Sequence, residues 1–580
     1  MDTVHNLSSM QLTFNNLNQI WSYVFTETLK RLGLNCAVIC PGSRSTPLTV
    51  AFVQQIPVIE VIPILDERSA AFFALGQAKA TGKPVVLVCT SGTAGANFYP
   101  AVIEARESRV PLLILTTDRP AELRNCHSGQ TIDQVKLYGN YPNWQTELAT
   151  PSLDMGMLSY LRQTVIHAWE CCQFPNSGAV HLNIPFRDPL APIPDGTDFT
   201  LDVEDFFGGI VSTPLPITNY QLPITNYQKG IIIAGVAQGQ NPDQYCRAIA
   251  NLCQTLQWPV LAEGLSPVRN YANLNPYLIS TYDLILRNQQ LAKELTPEIV
   301  IQIGEMPTSK ELRNWLIITN PQRWLIDKCD QNLDPIHGKT THLRISITEL
   351  ENLKFKNLEE NKYLQKWCKV EKKVRKNIDD YFTNLNELIE SKVPWLISQI
   401  LPPETPIFIA NSMPVRDVEF FWKPNNLRIK PYFNRGANGI DGTLSTALGI
   451  AHHQQSSVML TGDLSLLHDT NGFLISNKFS GHLTIILINN NGGGIFEMLP
   501  ISQFNPPFEE FFATPQNIDF SQLCATYNVE YHLISAWEEL QNYLKQLPKT
   551  GIRVLEVRTN RKRDVIWRKE NLVKFANYDF

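Results

Sequence analysis

Short, continuous apolar runs alternate with longer amphipathic stretches between about residues 20 and 190. The runs Ala37–Cys40, Val58–Leu65, Pro84–Cys89 and Pro111–Thr116 have the length and apolar content of buried strands. Between them, 67–80 and 94–106 carry helical periodicity. Such alternation predicts a parallel, doubly wound sheet. The proline-rich segment Pro185–Pro194 breaks the pattern, as a domain exit does. A second α/β unit is expected from strands Gly230–Gly235, Trp258–Ala262, Ile299–Gly304 and Arg323–Asp327. Residues 361–391 are charged and helical in pattern and are expected to bridge to a third α/β unit starting near Pro406. The fold expected is α/β, three doubly wound domains with parallel sheets, over 1–200, 201–375 and 376–580. Their similar size suggests one architecture used three times.

Two of the runs end in oxygen-bearing side chains. Met459-Leu-Thr-Gly-Asp463 ends in an aspartate, and Thr484-Ile-Ile-Leu-Ile-Asn489-Asn490 ends in asparagines 27 positions later (463 to 490). In an open α/β sheet, ligands bind beyond the carboxyl ends of the strands. Asp463 and Asn490 are therefore expected on one edge, as hard oxygen ligands. Magnesium prefers such donors and shares its sphere with phosphates and water. The pattern reads as a seat for a magnesium-bound diphosphate.

Composition narrows the class. A chain of 580 residues is too long for one core, and 43% apolar with 18% charged residues is ordinary for globular domains. The net charge of −5 gives no general reason to expect a nucleic-acid partner. The 11 cysteines are scattered, with no CxxC pair or metal-ligand spacing, which suits a reducing compartment. No signal-peptide pattern opens the chain, and no run approaches the ~20 apolar residues of a membrane span. The expectation is a soluble, cytoplasmic protein. Leu215-Pro-Ile-Thr-Asn-Tyr-Gln221 is repeated at once as Leu222–Gln228, which reads as a duplication in an exposed linker of the central domain (215–228). Gly235-Val-Ala-Gln-Gly239 departs from GxGxxG and is not taken as a nucleotide loop.

The Gly-Asp…Asn-Asn spacing resembles the diphosphate-binding motif of thiamin-diphosphate enzymes. In such enzymes a glutamate of a separate pyrimidine-binding domain meets the cofactor's aminopyrimidine ring. Leu65-Asp66-Glu67-Arg68-Ser69 follows an apolar strand and opens a helix, where that glutamate would lie. Its carboxyl shares a proton with a ring nitrogen, and burial keeps it able to donate. The resemblance then narrows. Pro41-Gly-Ser-Arg-Ser-Thr-Pro-Leu48, Thr90-Ser-Gly-Thr-Ala94, Thr117-Asp-Arg-Pro120, Asn434-Arg-Gly-Ala-Asn-Gly-Ile-Asp-Gly442, Gly462-Asp-Leu-Ser465 and Asn490-Asn-Gly-Gly-Gly-Ile-Phe496 stand in order. Together they resemble the 2-succinyl-5-enolpyruvyl-6-hydroxy-3-cyclohexene-1-carboxylate synthases of menaquinone and phylloquinone biosynthesis. The GDL in place of the general GDG is that family's own variant.

The resemblance implies a transferase that decarboxylates 2-oxoglutarate and adds the succinyl unit to isochorismate by 1,4-addition. It makes 1–200 the pyrimidine-binding domain and 376–580 the diphosphate-binding domain. Glu67 would be catalytic. Gly439, Ile440, Asp463, Leu464, Ser465, Asn490, Gly492, Gly493 and Ile495 would join it in binding thiamin diphosphate. Asp463, Asn490 and the Gly492 carbonyl would hold Mg2+, for which Mn2+ can substitute. Both substrates carry two carboxylates, which arginine's planar fork meets bidentately. Ser43, Arg44, Arg119 and Gln130 would bind isochorismate, with Lys310 assisting from the middle domain. Ser412 and Arg416 would hold the oxoglutarate-derived part, with Arg435 nearby, and Ile495 and Phe496 would wall the reacting centre. Some family members carry an arginine after the equivalent lysine, where this chain has Glu311. Because Glu67 and Asp463 belong to different domains, the resemblance implies a homodimer at least, with shared sites and a tetramer open. The runner-up is another thiamin-dependent decarboxylase or carboligase, such as an acetohydroxyacid synthase.

Overall fold

The computed structural model describes residues 11–208, 210, 227–237, 241–329, 331, 333–336, 338–350 and 361–577. The heptapeptide duplication falls on 215–228, of which 215–226 lie outside the described residues. The described residues form three six-stranded sheets and one two-stranded pair. Every pairing within the three large sheets is parallel. This is the arrangement that continuous apolar runs call for, since both faces of such strands are covered.

The first sheet runs Glu60–Pro63, Cys36–Ile39, Val85–Cys89, Leu112–Asp118, Ala179–Pro185, Trp144–Glu147. In chain order that is 2-1-3-4-6-5. The last sheet, Lys430–Tyr432, Pro406–Ile409, Ser457–Gly462, His482–Asn489, Gly551–Arg558, Glu530–Ile534, has the same order. The middle sheet does not. Leu278–Ile279, Val260–Ala262, Gly230–Ala234, Ile299–Ile303, Gln322–Ile326 and Lys339–Leu343 follow 3-2-1-4-5-6, the order of dinucleotide-binding folds. One architecture is thus used twice, around a middle sheet of different winding. After the middle sheet's central strand Gly230–Ala234, Val236 pairs with Glu305 in an isolated bridge.

The described residues fall into two compact units, the first holding the first sheet with Asn434–Gly449 and Asn471–Lys478, the second holding the other two large sheets. In the first unit, Trp21, Phe25, Leu113, Leu115, Leu161 and Trp169 are among the core residues. The chain does not leave this unit at Pro185–Pro194. Phe199–Asp202 returns to pair antiparallel with Gln11–Phe14, and Leu201, Val203, Phe206 and Phe207 join the core.

In the second unit the bridging helix is Lys362–Asn384, whose Tyr363, Leu364, Trp367, Val370, Val374, Ile378 and Phe382 are buried at helical spacing. Asn361 caps it by accepting from the Leu364 amide. All of these but Leu364 belong to one apolar cluster that also contains Ile231 and Tyr282 of the middle sheet's layer and Val458, Leu460 and Leu555 of the last sheet. Each such large side chain contributes about 1.5–3 kcal/mol on burial. Residues 94–106, expected as one helix, are two, Ala94–Asn97 and Tyr99–Glu107, because Pro100 at the second helix's start cannot continue the first.

Candidate active site

At the first sheet's switch point, the loops after Cys36–Ile39 and Val85–Cys89 face each other. The Arg44 amide donates to Thr90 Oγ1 at 3.2 Å, joining the two. Arg44 is buried, donates Nη1 to the Phe186 carbonyl at 2.9 Å, and has a buried Nε without a hydrogen-bond partner. Arg119, at the end of Leu112–Asp118, donates to Ser91 Oγ and, at 2.8 Å, to the Gly129 carbonyl. Gln130, with φ +56°, donates Nε2 to the Ser91 carbonyl at 3.0 Å. Burial and the neighbouring Arg119 charge together hold the Arg44 guanidinium below its usual range. Arg44, Arg119 and Gln130 are therefore gathered around Thr90-Ser91-Gly92, with Ser43 beside Arg44.

The same strands receive Glu67. Asp66 caps helix Glu67–Thr81 by accepting from the Ser69 amide at 3.0 Å, which fixes Glu67 as the first helical residue. The thiols of Cys40 and Cys89, at the ends of the two central strands, are pushed up by burial and also by the Glu67 charge. Glu67 itself is half-buried, less than the buried carboxyl expected from the sequence, and Leu65, two positions before it, is 67% exposed. The stretch 434–442, with Gly439 and Ile440, belongs to this unit. The Gly436 and Ala437 amides donate to Glu104 at 3.2 and 2.8 Å, and Gln77 donates to the Gly449 carbonyl. Arg435, Gly439 and Ile440 lie on this stretch, Arg435 and Ile440 half-buried.

In the second unit, Asp463 and Asn490 lie beyond the adjacent strands Ser457–Gly462 and His482–Asn489. Asp463 is 5% exposed and accepts the Gly492 amide at 2.8 Å on Oδ2. Burial raises its carboxyl to about 6. Asn490 donates Nδ2 to Glu390 at 2.6 Å, and its buried Oδ1 has no hydrogen-bond partner. Gly492 sits at φ +140°, where an added Cβ would stand 2.3 Å from the Ala513 carbonyl oxygen, so only glycine closes this turn. The Gly492 carbonyl accepts the Gly494 amide at 2.9 Å and keeps a second lone pair. A buried carboxylate, an orphaned amide oxygen and a carbonyl make an all-oxygen donor set that fits a hard dication. Leu464 and Ser465 follow in the short helix Asp463–His468, and Gly493, Ile495 and Phe496 in the turn and 3-10 helix Gly494–Met498.

Ser412 lies beyond Pro406–Ile409, at this sheet's switch point. Its φ of +68° and ψ of −125° are costly for a non-glycine residue, about 1–3 kcal/mol. Arg416 donates back to the Ser412 carbonyl at 2.6 Å, bracing that turn. The far end of their helix, Met413–Phe421, is held by the fully buried Arg269, which donates to the Glu419 and Trp422 carbonyls at 2.9 and 3.3 Å and pairs with the Glu419 carboxylate at 3.3 Å. Lys310 is exposed at the start of helix Lys310–Thr319, and Glu311 beside it pairs with Arg287 at 3.6 Å. Sequence reasoning missed Glu390, Ser91 as the shared partner of Arg119 and Gln130, and Arg269. Ser91 stood inside a quoted motif; Glu390, 100 positions from Asn490, had no local signal.

Comparison with known proteins gives the family. Residues 22–137 match the thiamine pyrophosphate enzyme N-terminal TPP binding domain, 214–409 the middle domain of thiamine pyrophosphate enzymes, and 423–557 the C-terminal TPP binding domain. A protein of Nostoc sp. named 2-succinyl-5-enolpyruvyl-6-hydroxy-3-cyclohexene-1-carboxylate synthase is 70% identical over 98% of this chain and 99% of its own length. Proteins of the same name from Trichormus variabilis and Microcystis aeruginosa are 71% and 60% identical, over 98% and 97% of this chain and 99% and 100% of their own lengths.

Proposed function

The chain belongs to the thiamin-diphosphate-dependent 2-succinyl-5-enolpyruvyl-6-hydroxy-3-cyclohexene-1-carboxylate synthases, and from that premise we propose that it decarboxylates 2-oxoglutarate and adds the succinyl unit to isochorismate by 1,4-addition, releasing carbon dioxide. The reaction is a step of menaquinone or phylloquinone synthesis. Thiamin diphosphate, when bound, supplies the carbanion-stabilising chemistry, and the protein supplies orientation and electrostatics.

Glu67 would hold a proton beside the pyrimidine ring, and Ile440, beside Gly439, would support the cofactor. Asp463, Asn490 and the Gly492 carbonyl would hold Mg2+, or Mn2+ in its place, and Leu464, Ser465, Gly493 and Ile495 would line the diphosphate side. Ser43, Arg44, Arg119 and Gln130 receive isochorismate, with Lys310 assisting. Ser412 and Arg416 hold the part derived from 2-oxoglutarate, with Arg435 nearby. Ile495 and Phe496 keep water from the reacting carbon.

The single observation that carries the substrate reading is the Arg44–Arg119 pair. Two guanidiniums in mutual repulsion, one buried with an unsatisfied Nε, are stabilised by an anion with planar oxygens. Enzymes acting on monocarboxylates have no use for such a pair in addition to Arg416 and Arg435.

The assignment of 1–200, 201–375 and 376–580 as pyrimidine-binding, central and diphosphate-binding domains goes with this reading. So does a homodimer in which Glu67 of one copy completes the cofactor site of the other. Leu65, two positions before Glu67, and Phe504 and Phe511 beyond the Asn490 turn, are 67%, 61% and 69% exposed, which supports burial against a second copy. No described helix is long and apolar enough to cross a membrane. All 11 cysteines are free thiols, which supports a cytoplasmic location.

The test is to mix purified protein with thiamin diphosphate, Mg2+, 2-oxoglutarate and isochorismate. Loss of isochorismate that depends on 2-oxoglutarate is expected. Its absence refutes the assignment.

A further inference from the structure

An asparagine side chain has two ends of nearly equal shape and opposite chemistry: the oxygen accepts and the amide nitrogen donates. Only the oxygen can hold a cation. Something must therefore choose which end of Asn490 faces the metal, and that choice is made outside the motif.

Asn490 Nδ2 donates to Glu390 Oε1 at 2.6 Å. Glu390 is 1% exposed and precedes helix Lys392–Ile400. Its other oxygen, Oε2, accepts Nη2 of Arg568 at 2.6 Å, and Arg568 is itself buried on helix Arg561–Lys574. The same guanidinium donates to Asp417 at 2.5 Å from Nη2 and 3.2 Å from Nε. Asp417 sits on helix Met413–Phe421, next to Arg416. The Glu390 amide donates to Asp564 Oδ1 at 3.1 Å, so the residue is held through backbone as well as side chain. Both Glu390 oxygens accept in this network, Oε2 from Arg568, which has only donors, and Oε1 on the side of Asn490. The end of Asn490 that meets it must be the amide nitrogen, and Oδ1 must point the other way, where it is buried without a partner. Gly494 makes room for this pose: a Cβ there would stand 2.6 Å from Asn490 Nδ2.

We propose that Glu390, locked by Arg568 and Asp417, is a positioning residue that fixes the orientation of the Asn490 amide so that its oxygen is presented to the divalent cation. The inference rests on the reading of Asp463, Asn490 and Gly492 as the metal site. Outer-shell partners of this kind alter metal affinity about 10- to 100-fold when removed.

The chemistry makes the test specific. In Glu390→Gln the new amide must give its oxygen to Arg568, an all-donor group, which turns its NH2 toward residue 490. Asn490 then flips to accept, and its oxygen is lost to the metal. In Asn490→Asp a carboxylate faces the Glu390 carboxylate. In the double variant E390Q/N490D, the NH2 introduced at position 390 donates to one oxygen of the new carboxylate, and the other oxygen is free to bind. Mn2+ affinity, read by electron paramagnetic resonance with thiamin diphosphate present, should fall about 10- to 100-fold in E390Q and in N490D. It should recover in the double variant to within about tenfold of the unsubstituted protein, a non-additive result that a merely structural role does not produce. Thermal unfolding of each metal-free protein establishes that it is folded, and Glu390→Ala should weaken Mn2+ as E390Q does. Singles that bind like the unsubstituted protein, or a double variant weakened by the product of the single effects, overturn the proposal. Failure of the unsubstituted protein to bind Mn2+ overturns the metal-site reading itself, a result distinguishable from the other two.

Discussion

Replacing Gly492 by alanine probes the turn that follows Asn490, where we propose the metal binds. The substitution carries two penalties that the structure separates. The first is backbone strain: φ is +140°, a region that alanine adopts at a cost of about 1–3 kcal/mol. The second is a collision, since the new Cβ would stand 2.3 Å from the Ala513 carbonyl, a backbone atom that no rotamer change can remove. Overpacking of this kind costs about 1–3 kcal/mol more. Gly551, in the same unit, supplies the control: its φ is +89° and nothing lies within 4 Å of an added Cβ, so Gly551→Ala incurs strain alone. For a domain of about 150–250 residues, each kcal/mol moves Tm by about 2–4 °C. Gly492→Ala should therefore unfold about 2–12 °C below Gly551→Ala in thermal scans followed by circular dichroism. It should also weaken Mn2+, because the Gly492 amide that donates to Asp463 moves with the turn. Equal melting temperatures in the two variants, with Mn2+ binding intact, would refute the claim that the Ala513 contact dictates glycine here.

Glu67→Gln should lower turnover by at least about 10²- to 10⁴-fold, the range for loss of a positioned acid–base group, while Tm and Mn2+ binding stay near those of the unsubstituted protein; full turnover would remove Glu67 from proton transfer. Burial raises the Asp463 carboxyl from 3.8 to about 6, and it must be ionised to hold a cation. The proton and the metal compete, so Mn2+ affinity measured against pH should be flat above about 7 and fall roughly tenfold per unit below about 6; a profile flat to pH 5 would contradict the burial argument. Burial, and then the Glu263 charge, push the Glu419 carboxyl from 4.5 up to about 8. The native state keeps a proton that the unfolded chain gives up above 4.5, so this group's contribution to stability falls as pH rises from about 4.5 to 8 and is level beyond. Glu419→Gln should flatten that part of the stability profile measured by denaturant unfolding, and an unchanged slope would show that Glu419 is already ionised.

What the sequence makes legible follows from what is local. Continuous apolar runs such as Val85–Cys89 and Ile299–Ile303 are found to within a residue or so, because burial on both faces leaves an unmistakable pattern. Trp144–Glu147, with the sequence WQTE, escapes, because a half-buried edge strand of mixed polarity has no such run. Asp463 and Asn490 are legible because strand ends place ligands in α/β sheets. Arg44 and Arg119 enter through the family resemblance, and their meeting at Ser91 and Thr90 is visible only once the sheet is assembled. Glu390 and Arg568 are invisible in any window, being 178 positions apart and meaningful only as a pair. The middle sheet's winding is likewise a property of strand order, on which periodicity is silent.

The apolar cluster beneath helix Lys362–Asn384 has a consequence for how the chain is made. Ile231 and Phe575 belong to that one cluster, together with Ala576. During synthesis one face of the middle sheet packs within its own cluster, from Ile232 to Leu350, but the other stays uncovered until Phe575 and Ala576, just after the last helix, Arg561–Lys574, have left the ribosome. The first sheet carries its own core and is free to fold early. The molecule is thus assembled in two instalments of unequal risk, and the later one, which builds the last sheet, is the step at which chaperone dependence and aggregation should concentrate.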